Sequence, residues 1–227
     1  MELEFTILMP CLNEEKTIGA CIEEARRGAE KLRLSYEILI ADNGSTDSSA
    51  EIAEKAGARV VTAAEKGYGS ALICGINAAR GRYIIMGDCD LSYDFFNIGG
   101  FVERLREGAA LVVGNRFKGS IEKGAMPPHH RYFGVPLLSF LGRLRYGVKV
   151  GDFHCGIRGF LRDKALSLGL CCTGMEFSTE IIAKFSAAGF TVEEIPADLR
   201  RDGRNGKSHL RSLRDGMRHM LFMMKKL

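Results

Sequence analysis

The sequence predicts an α/β protein with a mostly parallel central sheet flanked by helices. Three observations carry that prediction. Short apolar runs alternate with amphipathic segments through the first 115 residues. No repeat, low-complexity tract or composition break divides the chain. Its 227 residues, 46% hydrophobic and 26% charged, suit one ordinary domain. Such a chain buries a core without disulfides or metals, and its composition excludes intrinsic disorder, collagen and mini-protein classes.

Phe5 to Met9 is a short apolar run expected as a buried strand. Glu14 to Leu32 follows with helical spacing, Ile18, Cys21, Ile22 and Ala25 on one face and charges opposite. Next come a strand over Tyr36 to Ala41 and a helix over Ser45 to Lys55, opened by Ser, Thr and Asp capping residues. Strand over Arg59 to Thr62, helix over Ser70 to Arg80, strand over Tyr83 to Met86, helix over Phe95 to Arg106 and strand over Leu111 to Val113 complete the alternation. This order argues for a parallel sheet covered on both faces, with ligands beyond the carboxyl ends of its strands.

The second half is less regular. Residues 117 to 131 read as a loop rich in Gly, Pro and basic side chains, and Val135 to Val150 as an amphipathic segment. Residues 176 to 188 read as helix, Thr191 to Ile195 as strand, and Ser208 to Leu227 as a final helix with Leu210, Leu213, Met217, Leu221 and Met224 along one side.

The net charge of +4 is unevenly spread. Residues 200 to 227 carry nine Lys or Arg and two acids, a net +7, against −3 for the rest. A basic tail on a mildly acidic body points to an anionic partner: nucleic acid, a membrane surface or a phosphorylated substrate. Without a basic-aromatic platform nucleic acid is not expected, whereas a basic helix with a Met/Leu face suits an anionic membrane surface or a homo-oligomer interface. The seven cysteines form no C-x-x-C pair and have no His at metal spacing; several sit inside apolar runs and read as small buried hydrophobes in a reducing compartment. The acidic N-terminus does not resemble a signal peptide, and no run approaches the roughly 18 apolar residues of a membrane span. The expectation is a cytoplasmic protein, peripheral on the cytosolic face of a membrane.

Chemistry concentrates where predicted strands end. The first ends in Pro10-Cys11-Leu12-Asn13-Glu14-Glu15, the second in Asp42-Asn43-Gly44-Ser45-Thr46-Asp47, and the fourth in Asp88-Cys89-Asp90-Leu91-Ser92. Singly, each is an ordinary turn or helix cap; together they gather acids at one sheet edge. Without His or thiolate, such carboxylates suit Mg2+ or Mn2+ whose shell is completed by water and substrate phosphates. Gly67 and Gly69 precede a helix and read equally as a plain turn or an anion approach. They complete neither a dinucleotide fingerprint nor a phosphate-loop motif. Within Gly151 to Phe160, Arg158 either binds an anion or pairs with Asp152, and Arg116 follows a buried strand toward the same region. Glu176 and Glu180 share a helix face, Glu180 reading as a solvated edge; His129 and His130 read as loop residues.

The strings LMPCLNEE, ADNGSTDSS, KGYGSAL, MGDCDLSYDF, VVGNRF, DFHCGIRGF and GMEFSTEI, in this order, resemble the family 2 glycosyltransferases, and among them the polyprenyl- and dolichyl-phosphate mannose or glucose synthases. The likeness runs from about Thr6 to His209. It implies a GT-A fold over residues 1–209 with an amphipathic acceptor-side extension, followed by a basic, membrane-proximal helix over 210–227. It also implies metal-dependent, inverting transfer of a hexose from a UDP-glucose or GDP-mannose type donor to a polyprenyl phosphate. Carried over by motif, Pro10, Leu12, Asn13, Glu14, Asp42, Gly69, Asp88 and Cys89 contact the donor, and Asp88 and Asp90 hold Mg2+ or Mn2+. Many relatives have Gln where this chain has Ser92. Arg116 and Arg131 are expected at the acceptor phosphate, with Asp152, Asp90 and Arg158 as catalytic groups. Asp152 positions the acceptor or abstracts a proton; an anionic phosphate needs no strong base. Arg201, Arg204 and Lys207 are the expected diphosphate contacts, in a basic run longer than its counterpart in relatives. A hydroxyl on a glycan, protein or small molecule is the alternative acceptor, and there a base becomes necessary.

Overall fold

A computed structural model describes residues 3–204 and 212–225. Seven strands form one sheet: β1 (Phe5–Cys11), β2 (Tyr36–Asp42), β3 (Arg59–Thr62), β4 (Tyr83–Met86), β5 (Leu111–Asn115), β6 (Arg158–Leu161) and β7 (Val192–Pro196). Their spatial order is β3-β2-β1-β4-β6-β5-β7, and β6 alone runs against its neighbours β4 and β5. The α/β class and the mostly parallel sheet agree with the sequence reading. Helices α1 (Ile18–Lys31), α2 (Ser49–Lys55), α3 (Tyr68–Ala78) and α4 (Gly99–Arg106) alternate with the first five strands. Helices α5 (Val135–Tyr146), α6 (Arg162–Ser167), α7 (Phe177–Ala187) and α8 (Ser212–Met224) complete the described chain. The central strands are apolar on both faces because helices cover both, and β1 and β4 are buried almost throughout.

Differences from the sequence reading have local causes. Helix α1 starts four residues late because Glu14 closes a turn first, its carbonyl accepting from Thr17 N at 3.0 Å after Asn13 adopts φ 58°. Helix α2 starts late because residues 45 to 48 are spent on loop contacts: Ser45 N donates to Asp42 and Thr46 N to Asn13 Oδ1. The segment from Phe95 divides into a single turn, Phe95–Asn97, and α4. Strand β6 and helix α6 have no counterpart in the sequence reading. The four residues Arg158-Gly159-Phe160-Leu161 show no strand periodicity, yet they fill the gap between β4 and β5.

This topology positions the site. Cys11 pairs in register with Asp42, and the residues following β1, β2 and β4 emerge side by side. Because β6 is reversed, its first residue, Arg158, lies opposite Met86 and Val113 near the carboxyl ends of β4 and β5. The loop of residues 151–157, which enters β6, therefore sits at the same edge as the loops that leave the parallel strands.

Candidate functional site

The turns after β1 and β2 are laced together. Asn13 N donates to Ser45 Oγ at 2.9 Å, Asn13 Oδ1 accepts from Thr46 N at 2.8 Å, and Glu14 N donates to Ser49 Oγ at 2.7 Å. The Asp42 carboxylate accepts from the Gly44 and Ser45 amides. Pro10 and Leu12 lie half-buried beside this turn, and Asn13 is exposed.

Past β4 the chain turns, and the two aspartates are held separately. Tyr68 donates its hydroxyl to Asp88 Oδ1 at 3.0 Å. Asp90 Oδ1 accepts from Ser92 N at 3.0 Å and from Ser92 Oγ at 2.5 Å, while Asp90 Oδ2 lies 3.3 Å from an Arg204 nitrogen. Ser92 thus orients Asp90. Burial, reinforced by the neighbouring Asp90 charge, pushes the Asp88 carboxyl up to about 6. Burial and the Asp88 charge keep Tyr68 far above its ordinary value, so it remains a donor.

Arg204 joins this cluster to β1. Its Nε donates to Glu14 Oε1 at 2.6 Å, and a second guanidinium nitrogen pairs with the same oxygen. Burial opposes its charge, but the Glu14 hydrogen bond and the Asp90 carboxylate hold its pKa above the ordinary guanidinium value. The approach to Arg204 is anchored by Arg200, 2.7 Å from both Glu24 and Asp94, and by Gly203 N donating to the Asp90 carbonyl at 2.7 Å.

Among the described residues, no three His, Cys, Asp or Glu side chains gather as an all-protein metal cage. Asp88 and Asp90 nonetheless fit a Mg2+ or Mn2+ site. They are hard oxygen donors two residues apart, and the Asp90 charge that adds to burial in raising Asp88 is one a cation would offset. With so few protein ligands, water and phosphate oxygens would complete the shell.

On the β5–β6 side, Asp152 is fully buried and clasped by Arg116. Arg116 Nε donates to Asp152 Oδ2 at 2.7 Å and a terminal nitrogen to Oδ1 at 2.8 Å. Glu194 fixes the preceding backbone, accepting from Gly151 N at 2.6 Å and Asp152 N at 3.1 Å. Gly156 lies against the acidic cluster: a Cβ there would stand 2.6 Å from Asp88 Oδ2, and its N–H donates to Tyr93 Oη at 2.7 Å. Arg131 lies half-buried on the one-turn π-helical segment His130–Gly134, its guanidinium 5.6 Å from the Tyr132 ring centroid.

Several roles expected from the sequence need correcting. Arg158 neither faces a ligand nor pairs with Asp152. It has no exposed surface and donates to the carbonyls of Cys155, Ser178 and Phe153 at 3.0, 2.6 and 2.7 Å. A guanidinium is costly to bury unless its donors are used, and here three carbonyls use them to tie the loop of residues 151–157 to α7. Cys89 turns inward, its Sγ donating to the Pro10 carbonyl at 3.0 Å. Gly69 meets protein instead of an anion. A Cβ there would stand 2.0 Å from the Cys172 carbonyl oxygen, and Ser70 N already donates to the Thr173 carbonyl. Arg201 bonds Glu122 and the Lys123 carbonyl, leaving Arg204 as the basic residue that reaches the acids; Lys207 lies outside the described residues. Glu180 is buried, accepting from Cys171 N and Cys172 N and pairing with Lys184. Glu176 pairs with Arg218 of α8.

Tyr68, Tyr93 and Glu194 support the site without having been singled out from sequence. The two tyrosines stand inside KGYGSAL and MGDCDLSYDF, where acids and glycines carry the stronger chemical signal.

Comparison with known proteins sets this geometry beside established names. The profile described as Glycosyl transferase family 2 matches residues 6–169. Low-salt glycan biosynthesis hexosyltransferase Agl6 of Haloferax volcanii is 39% identical over 220 residues, covering 96% of this chain and 52% of that protein. The chain therefore spans about half the length of this relative. A dolichyl-phosphate hexose transferase of Haloferax volcanii is 29% identical over 203 residues, covering 87% of this chain and 83% of that protein. Among solved structures, glucosyl-3-phosphoglycerate synthase from Mycobacterium tuberculosis, in complex with Mn2+, uridine-diphosphate and glucosyl-3-phosphoglycerate, superposes with a TM-score of 0.71 at 24% identity. That match covers 90% of this chain and 73% of the other, and establishes a shared fold.

Proposed function

The chain belongs to glycosyl transferase family 2, and from that premise we propose that it moves a hexose from a nucleoside diphosphate sugar to a polyprenyl phosphate, with inversion. The observation that carries this reading is the meeting of Glu14, Asp88, Asp90 and Arg204 at the carboxyl ends of β1 and β4. There a diphosphate finds a long cationic side chain and two carboxylates suited to a metal. The names of two relatives, one a hexosyltransferase and one a dolichyl-phosphate hexose transferase, support the donor and acceptor classes.

Asp88 and Asp90 would hold Mg2+ or Mn2+, which when bound neutralises charge on the leaving diphosphate. Tyr68 and Ser92 keep the two carboxylates oriented. The turns bearing Pro10, Leu12, Asn13 and Asp42 form the wall against which the nucleoside rests, and Arg204 contributes positive charge to the diphosphate. An acceptor phosphate oxygen attacks the anomeric carbon. The carbon–oxygen bond to the diphosphate breaks, and the nucleoside diphosphate departs with the bonding electrons. No proton need be removed, because a phosphate monoester is already anionic near neutral pH. This agrees with the clasp of Asp152 by Arg116, which suits positioning better than proton abstraction. Arg116 and Arg131 supply the positive charge facing the acceptor phosphate.

The test is product formation. Purified protein with Mn2+ or Mg2+, UDP-glucose or GDP-mannose, and a short-chain polyprenyl phosphate is expected to yield a charged glycolipid detectable by mass spectrometry. Failure to bind or consume either nucleotide sugar with either cation sinks the reading. Transfer only to hydroxyl acceptors would replace the phosphate acceptor by the alternative class.

A further inference from the structure

We propose that the segment His130–Tyr146 and helix α8 together form a docking platform for an anionic phospholipid bilayer, lying in its surface beside the acceptor site. The inference rests on the lipid-acceptor reading for its purpose, and on the following geometry for its physics.

Of the twelve large apolar side chains exposed on the described surface, ten belong to these two stretches. Tyr132, Phe133, Leu137, Phe140 and Leu144 come from the first; Leu213, Met217, Met220, Leu221 and Met224 come from α8. Scattered exposed apolar residues need no explanation, but concentration of this kind marks an interaction surface. Helix α8 is seated through the opposite face, where His219, Phe222 and Met223 are buried, so its Leu/Met stripe is directed outward. The two stretches form one unit. Arg145 donates to the Met223 and Lys225 carbonyls at 3.3 Å, and His130 Nε2 lies 2.8 Å from Ser212 Oγ.

Charge selects the occupant. Residues 130–146 and 212–225 hold six Lys or Arg, of which Arg218 is paired with Glu176 of α7's N-terminal turn, and a single acid, Asp215. Guanidiniums stand beside the exposed rings, Arg131 at 5.6 Å from the Tyr132 centroid and Arg143 at 5.8 Å from that of Phe140. Apolar side chains rimmed by cations match an acyl layer beneath anionic headgroups. A second copy of the same face would oppose like charges across a two-fold axis. No described helix is long and apolar enough to cross a membrane; with its apolar stripe along one exposed side, α8 suits contact in the surface plane. The buried side of α5 reaches the acceptor loop, Phe153 N donating to Ser139 Oγ at 3.1 Å one residue beyond Asp152. The platform therefore holds the Arg116–Asp152 pair near headgroup level.

The experiment is flotation of the full chain with vesicles of phosphatidylcholine alone or mixed with phosphatidylglycerol. Binding to the mixed vesicles is expected to exceed that to neutral ones by about tenfold and to weaken as salt rises. The triple variant Phe133→Ser, Leu144→Ser, Leu221→Ser is expected to lose at least about tenfold of vesicle affinity while nucleotide-sugar binding is unchanged. The proposal is overturned if the wild-type chain does not float with mixed vesicles, or if the triple variant floats equally well. It is also overturned if sedimentation shows a dimer that the triple variant dissolves. Vesicle binding without nucleotide-sugar binding would sink the transferase reading alone. Transfer to a detergent-dispersed acceptor without vesicle binding would sink the platform alone.

Discussion

Arg204 spans two strand ends, its Nε 2.6 Å from Glu14 Oε1 beyond β1 and a terminal nitrogen 3.3 Å from Asp90 Oδ2 beyond β4. A guanidinium thus lies among acids at the edge where a diphosphate and its cation would bind. Replacing it with glutamine removes a positive charge from the diphosphate's surroundings and unmasks the carboxylates. Arg204→Gln is expected to weaken nucleoside diphosphate binding by about tenfold. The same change is expected to tighten Mn2+ binding in the absence of nucleotide. Isothermal titration of each ligand separately measures both, and opposite signs are the signature of Arg204's double role.

Asp90 combines a metal-suited oxygen with a fixed orientation imposed by Ser92. Asp90→Asn keeps the shape and loses the charge. Transfer is expected to fall by about a hundredfold or more at saturating Mn2+. Ser92→Ala leaves the charge and frees the carboxylate to rotate, so a smaller loss is expected, read as a raised Mn2+ requirement.

The buried Arg116–Asp152 pair separates positioning from base catalysis. Asp152→Asn strands a guanidinium in the interior, at an expected cost of about 3 kcal/mol or more in stability, visible as a lower melting temperature. With a polyprenyl phosphate acceptor, kcat is expected to fall by less than about tenfold, with the larger effect on acceptor KM. A kcat loss approaching a thousandfold would instead assign Asp152 to proton abstraction.

Helix α8 packs through the buried His219, whose ring centroid stands 4.4 Å from that of His154 and whose Nδ1 lies 2.8 Å from Thr179 Oγ1. Burial is the main cause that lowers both: His219 to about 4, and His154 well below its usual value, further disfavoured by the His219 charge. The unfolded chain takes up protons near pH 6.5 and the folded one does not. Stability is therefore full above about 6.5 and declines as pH falls toward 4, by on the order of 2–3 kcal/mol for His219. Thermal unfolding between pH 7 and pH 5 measures the decline. In His219→Asn, whose amide can still meet Thr179, a lower starting stability and a shallower pH slope are expected.

Much of this was legible because parallel strands buried on both sides leave unmistakable apolar runs, and because polar turns just beyond them have few other reasons to be so acidic. The α/β class followed from that alternation. What escaped reading was set by distant partners. Arg158 looks like a ligand residue in a polar motif, and only the carbonyls of Phe153, Cys155 and Ser178 make it a structural strut. Gly69 looks like an anion approach until the 172–174 backbone fills the space. Strand β6 carries an Arg and a Gly in four residues, and its identity comes from the two strands that flank it. Glu180, with its helical neighbour Lys184, has the pattern of a surface pair, but the Cys171 and Cys172 amides draw it inside.

The reversed strand divides the chain's route through the site. Strands β1, β2 and β4 each deliver one turn to the edge, whereas residues 116–157 leave β5 and return through β6 as one continuous stretch that carries Arg116, Arg131 and Asp152. Under the proposed transfer, a change of acceptor would require altering that one stretch, while a change of donor would require concerted changes in three separate turns and at Arg204.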